Sequence, residues 1–251
     1  MLKLHRPVTA GLIALMFSFG ASATEARHWS YGHDTGPDKW AALDPDNKLC
    51  KIGQQQSPIA LQTGKSTRLA EHDFDIRFGK AKGQLTNNGH TIQFNLDSAA
   101  DNTVTLKNAT YNLAQFHFHT PSEHRLDGKS FPMEMHLVSK DADGKLTVVG
   151  VFIKAGAKNE ALAKLWSKLP TPNASLQATE VDLATLLPAK RSALVYAGSL
   201  TTPPCSEDVN WIVLEQPIQM SQQQINAFRK HFTDNHRPIQ RSHERKVMEE
   251  S

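Results

Sequence analysis

The run from Gln115 to Val138, QFHFHTPSEHRLDGKSFPMEMHLV, leaves this chain few ways to fold. Successive side chains of a strand point to opposite faces, so His117 and His119 share one face of a strand while Phe116 and Phe118 point into the other, apolar side. A second alternating run follows, in which Glu134, His136 and Val138 share one face and Met133, Met135 and Leu137 the other. Two adjacent strands of this kind converge three imidazoles on one point. Three neutral nitrogens with an open fourth position is the arrangement of a catalytic zinc, whereas a structural zinc closes its shell with a fourth protein ligand. Gln115 lies on the face of the two histidines and Glu134 beside His136, each placed to accept the second ring N–H of a ligand and fix its tautomer.

The H-x-H pair alone does not decide the matter. With 12 His in 251 residues, chance supplies roughly 0.6 such pairs per chain. The spacing therefore leaves open a pair of buried histidines in an aromatic core.

The first 23 residues read as a secretory signal peptide, with Lys3 and Arg6 in a basic start, an apolar run from Val8 to Phe19, and Ala21-Ser22-Ala23 as the cleavage site. The apolar run is short for a bilayer span and nothing later approaches it, so the expectation is a soluble, exported protein, periplasmic or secreted; an uncleaved anchor is the alternative. Removing Lys3 and Arg6 leaves 26 Lys and Arg against 25 Asp and Glu. A chain so nearly neutral gives no argument for nucleic acid or a membrane surface as partner. Cys50 and Cys205 are the two cysteines, and in an exported chain they favour one disulfide over two free buried thiols. Closing a loop of about 155 residues is worth roughly 5 kcal/mol at most.

Residues 24–251 read as one domain, since no repeat, linker or low-complexity segment divides them. Short alternating runs between Phe74 and Leu106, the more continuously apolar LTVVGVFIK at 146–154, and Ala193–Ser199 and Val209–Leu214 read as strands, while the stretch from Trp29 to Trp40 reads as irregular. Helices are few. Asn159 caps one with Leu162, Leu165, Trp166 and Leu169 on its apolar face, ended by Pro170; Ser221 and Gln224 open another, carried on by Ile225, Phe228 and Phe232. The fold class is α+β, mainly β: a single domain with a large twisted, mostly antiparallel sheet and short peripheral helices.

QFHFH followed by SEH and MEMHLV, together with QSP at 56–58, NNGH at 87–90, and YAGSLTTPPC with NWIVL between 196 and 214, resembles the α-class carbonic anhydrases in motif and order over nearly the whole mature chain. The resemblance implies zinc held by His117, His119 and His136, and reversible hydration of carbon dioxide to bicarbonate and a proton. Zinc lowers the pKa of its bound water to about 7, the known value for that family, so that hydroxide attacks carbon dioxide. Thr201 and Glu123 match the pair that orients the nucleophile: a carboxylate accepts the threonine proton and leaves the hydroxyl oxygen to accept from the hydroxide. Val138, Val148, Leu200 and Trp211 match the apolar wall for carbon dioxide, Thr202 the neighbour of the hydrated product, Tyr31 the floor of the site, and His90 the proton shuttle. His124 matches a structural residue bonded to Glu134 and Tyr196. Ser57-Pro58 and Pro203-Pro204 match cis bonds. His28, His33, His72, His231, His236 and His243 carry no motif and read as surface residues, and the run RPIQRSHERKV leaves the backbone partner of His119 unassigned. A non-catalytic recognition protein on the same fold and a zinc ester hydrolase are the alternatives, and a homodimer is left open.

Overall fold

The computed structural model describes residues 28–68, 73–99 and 101–250. The expected signal segment and His72 lie outside the described residues. Fourteen strands are present among them: β1 (Ala60–Leu61), β2 (Thr67–Arg68), β3 (Phe74–Arg77), β4 (Lys80–Asn87), β5 (Ile92–Leu96), β6 (Thr103–Leu106), β7 (Ala109–His119), β8 (Arg125–Leu126), β9 (Met133–Lys140), β10 (Leu146–Ala155), β11 (Ala174–Asp182), β12 (Ala193–Gly198), β13 (Val209–Met220) and β14 (Met248–Glu250). Twelve form one sheet in the order β11-β4-β5-β7-β9-β10-β13-β12-β14-β2, with β6 pairing β7 and β3 pairing β6; β1 and β8 make a separate pair. Within the large sheet only β10–β13 and β14–β2 are parallel, so the expected mostly antiparallel sheet is what forms.

The alternation seen in the sequence sets which side of the sheet carries the chemistry. Phe116, Phe118, Met133, Met135 and Leu137 are fully buried in the larger core cluster with Phe94, Trp166 and Phe228. Each such side chain contributes roughly 2–3 kcal/mol on burial, an upper figure. A one-residue slip of β7 against β9 would trade these for histidines and expose them, so the register is fixed by the core. In that register His117 lies directly opposite His136. The run LTVVGVFIK lacks alternation because β10 is central, with β9 antiparallel on one side and β13 parallel on the other, and Thr147 to Ile153 are buried on both faces. The parallel pairing with β13 follows from a long crossover and was not foreseen from the sequence.

The described helices are α1 (Trp40–Leu43), α2 (Leu49–Ile52), α3 (Glu160–Trp166) and α4 (Gln222–Arg229), with 3-10 turns at Pro45–Lys48 and Leu183–Leu186. Asn159 Oδ1 accepts the Leu162 N–H, and Ser221 and Gln224 make both bonds of a capping box, as the sequence predicts. α3 stops at Trp166, short of Leu169. Ser167 Oγ turns back onto the Lys164 carbonyl, and the residue before Pro170 is disfavoured in the α region. Between Trp29 and Trp40 the chain runs through bends and turns, pinned where the Trp40 indole donates to the Ser30 carbonyl.

Candidate metal centre

The three imidazoles meet as the alternation requires. Ring centroids lie 5.0 Å apart for His117 and His119, 5.4 Å for His117 and His136, and 4.5 Å for His119 and His136, and their candidate ligand atoms lie within 4.8 Å of one another. Each ring has one nitrogen committed to an acceptor. His117 Nδ1 donates to Gln115 Oε1 at 2.8 Å, His136 Nε2 to Glu134 Oε1 at 2.9 Å, and His119 Nδ1 to the Asn235 carbonyl at 2.7 Å. Those oxygens accept only, so the tautomers are settled and His117 Nε2, His119 Nε2 and His136 Nδ1 keep their lone pairs for the centre. His119 Nε2 is buried without a hydrogen-bond partner among the described residues. A buried orphan nitrogen is costly, and a three-nitrogen donor set fits a tetrahedral zinc with one open position.

Electrostatics keep these rings ready. Burial lowers the pKa of His117 well below the usual histidine value, the neighbouring His119 and His136 adding to it. His119 is also lowered by burial, though Glu123 and the Asn235 carbonyl pull the other way. Burial opposes ionisation of Glu134, but His124 and His136 outweigh it and hold the carboxyl well below its usual range. Glu134 Oε1 also accepts from His124 Nδ1 at 2.7 Å, and the other nitrogen of that ring meets the Tyr196 hydroxyl at 2.7 Å. His124 is thus a buried structural residue, as the resemblance implied.

A cavity of about 320 Å³ opens over the three histidines. One wall is polar, from Asn88, His90, Thr91, Gln93 and Gln115; the other is apolar, from Val138, Leu146, Val148, Leu200 and Trp211, with Thr201 and Thr202 between and Tyr31 and Trp29 nearby. Leu146 escaped the sequence reading, although it lies two residues before Val148 on the same strand face and alternation alone would have found it. A larger cleft of about 550 Å³ lies elsewhere, beside α3 and β11. Its charges include the pairs Lys80–Glu180 and Lys158–Glu160, and it contains no metal-binding cluster among the described residues.

Glu123 is 1% exposed. Its Oε1 accepts the Arg237 main-chain N–H at 2.8 Å, and its Oε2, 3.8 Å from His136 Nδ1, has no hydrogen-bond partner among the described residues. The expected bond from Thr201 to Glu123 is therefore not made in this structure, although both residues are buried and an acceptor stands free. His90 lines the cavity but is packed flat on Trp29, with ring centroids 3.6 Å apart, and stacked 4.9 Å from His28. Burial there, with His28 beside it, lowers its pKa to about 4. His28 is exposed, as expected of a surface residue, and its ring stacks on His90. Ser57-Pro58 and Pro203-Pro204 are cis, as is Thr120-Pro121. Cys50 and Cys205 form a disulfide.

The sequence reading missed the segment Asn235–Arg237, which supplies the His119 partner and clamps Glu123. It has no regular secondary structure, so no periodicity marks it.

Comparison with known proteins places this geometry. The family model for eukaryotic-type carbonic anhydrase matches residues 35–251. A carbonic anhydrase of Pectobacterium atrosepticum is 44% identical over 235 residues, covering 91% of this chain and 94% of that protein. The solved α-carbonic anhydrase of Thermovibrio ammonificans, in complex with the inhibitor sulfanilamide, superposes with a TM-score of 0.84 at 40% identity, covering 88% of this chain and 98% of that one. Dioscorin complexed with ascorbate superposes with a TM-score of 0.83 at 27% identity, covering 89% of this chain and 98% of that one. Sequence identity across nearly the full length carries the family, and this chain belongs to the eukaryotic-type (α) carbonic anhydrases.

Proposed function

We infer that this protein is a zinc-dependent carbonic anhydrase that reversibly hydrates carbon dioxide to bicarbonate and a proton. The observation that carries the reading is the convergence of three tautomer-fixed imidazoles beneath a cavity with one apolar wall. Zinc held by His117, His119 and His136 supplies Lewis acidity that makes a water nucleophilic at neutral pH.

The chain's own residues do the rest. Gln115, Glu134 and the Asn235 carbonyl hold the three rings in the tautomers that present a lone pair to the metal. Val138, Val148, Leu200 and Trp211 offer carbon dioxide a surface where water competes poorly, and Leu146 extends it. The unpartnered Oε2 of Glu123 is the acceptor for the Thr201 hydroxyl proton, which turns the Thr201 oxygen into an acceptor that aims the attacking oxygen. Thr202 stands where the hydrated product leaves. His90 takes the released proton outward: the stacked ring is neutral at pH 7 and a weak base, and away from Trp29 and His28 its basicity returns towards about 6.5.

Residues 1–23 act as the export signal, and the protein works in the periplasm or outside the cell. The disulfide fits an oxidising compartment, and no described helix is long and apolar enough to cross a membrane.

Stopped-flow hydration of carbon dioxide by the purified protein, before and after chelation and again after adding zinc, tests the assignment. Activity lost on chelation and regained with zinc is expected. A zinc-loaded protein that leaves carbon dioxide unhydrated would overturn it in favour of recognition without catalysis.

A further inference from the structure

Asn235 is fully buried in a segment without regular structure, and its side-chain oxygen and both of its amide hydrogens are engaged. Oδ1 accepts the Thr120 N–H at 2.7 Å, while Nδ2 donates to the Phe118 carbonyl at 2.9 Å and to the His90 carbonyl at 3.0 Å. Its main-chain carbonyl meanwhile takes the His119 ring. One residue thus grips the metal ligand, both chain neighbours of that ligand, and the turn carrying the proposed proton relay.

The turn needs such a grip. The β5–β7 ladder begins at Gln93 opposite His117, leaving His90 beyond its end. Inside the turn Asn88 Oδ1 accepts from His90 N and Thr91 N, bonds that shape the turn without tying it to the metal strand. Across to β7 the ties are the Thr91 hydroxyl on Phe118 and the Asn235 amide. Of these ties among the described residues, only the amide reaches His90 itself. The position also demands an amide, with one acceptor facing a backbone N–H and two donors facing two carbonyls.

We propose that the Asn235 side chain is a positioning residue for proton transfer, fixing the His90 turn against the metal-binding strand so that the relay stands at a set distance from the centre. This rests on the reading of His90 as the relay.

Asn235→Asp keeps the shape and Oδ1 but replaces both donors with an oxygen facing two carbonyls. In dilute buffer kcat should fall by about fivefold or more, kcat/KM by a clearly smaller factor, and imidazole buffer should restore much of the loss. In a His90→Ala background the same substitution should lower kcat by less than about twofold, because the step it serves is already gone. Equal falls of kcat in both backgrounds, or equal falls of kcat and kcat/KM with loss of zinc, would show a merely structural role and overturn the proposal. If His90→Ala keeps full turnover in dilute buffer, the relay reading fails and the coupling with it. If His90→Ala is slow while Asn235→Asp is not, the coupling alone fails. Should Asn235→Asp not yield a folded, zinc-loaded protein, Asn235→Ser takes its place under the same criteria.

Discussion

Two regions hold the zinc centre, and they are built on different principles. Strands β7 and β9 present His117, His119 and His136 because their opposite faces are packed with Phe116, Phe118, Met133, Met135 and Leu137, so the ligands are positioned by the same burial that folds the sheet. The segment Asn235–Arg237 has no face and no period. It is held in place by polar contacts: Arg237, 2% exposed, donates from its guanidinium to the Ser57 carbonyl at 2.8 Å and the Cys50 carbonyl at 3.0 Å and lies over the Trp40 ring. A sheet can place a ligand and a polar strap can orient it, and a site that needs both is only half written in hydrophobic pattern.

The sharpest way to break the strand half is to remove a ligand. His117→Ala, His119→Ala and His136→Ala are each expected to abolish zinc binding and hydration while the chain stays folded, since the apolar faces are untouched. Elemental analysis and circular dichroism check this together. Full zinc and full activity in any of the three would defeat the assignment, and a collapse of the fold would show that the strands depend on the metal.

That division explains what the sequence yields and what it hides. Alternation puts the three histidines on one face and their aromatic neighbours on the other, and capping chemistry marks Asn159 and Ser221, because period and caps are local properties. The parallel union of β10 with β13 is not local, and LTVVGVFIK shows only that its strand is buried on both faces. Asn235 works through a side chain and a carbonyl that reach residues 118–120 and 90, partners more than a hundred positions away that no spacing rule connects. The NNGH motif locates His90 at the cavity, yet nothing in it shows the ring lying on Trp29, a residue 61 positions earlier.

Breaking the strap should cost less. Arg237→Met removes two charge-assisted bonds and leaves two buried carbonyls to find water, for a loss of about 3 kcal/mol in stability; removal of the buried charge, whose pKa burial lowers to about 10, offsets part of it. Zinc content should stay full, with hydration falling by a modest factor as the main-chain N–H that Glu123 accepts loses the side-chain anchor that holds it in place. Chemical denaturation of the zinc-loaded protein measures the first and stopped flow the second. Loss of zinc on the scale of the ligand mutants would erase the distinction between the two regions.

The smallest effect sets strand against strap within a single pair of ligands. With zinc removed, the hydrogen-bond partner of His117 is Gln115 of its own strand, whereas His119 has the Asn235 carbonyl and Glu123, whose Oε1 is 3.6 Å away; the Glu134 charge favours the protonated form of both. Both rings are buried and both pKa values are lowered, but only His119 has this support from a charge and a carbonyl that favour its protonated form. As pH falls below about 6.5, the unfolded chain takes up protons that these buried rings refuse, so the apo-protein should lose stability progressively, by at most about 1.4 kcal/mol per pH unit for each ring. His119 should be the first to accept a proton in the folded apo-protein, and its charge should then push His117 lower still. NMR titration of the imidazoles checks the order. If His117 titrates first, the strap contributes nothing to the electrostatics of the ligand it touches. If the gap between the two rings closes in Arg237→Met, the strap's hold on Glu123 is what separates them.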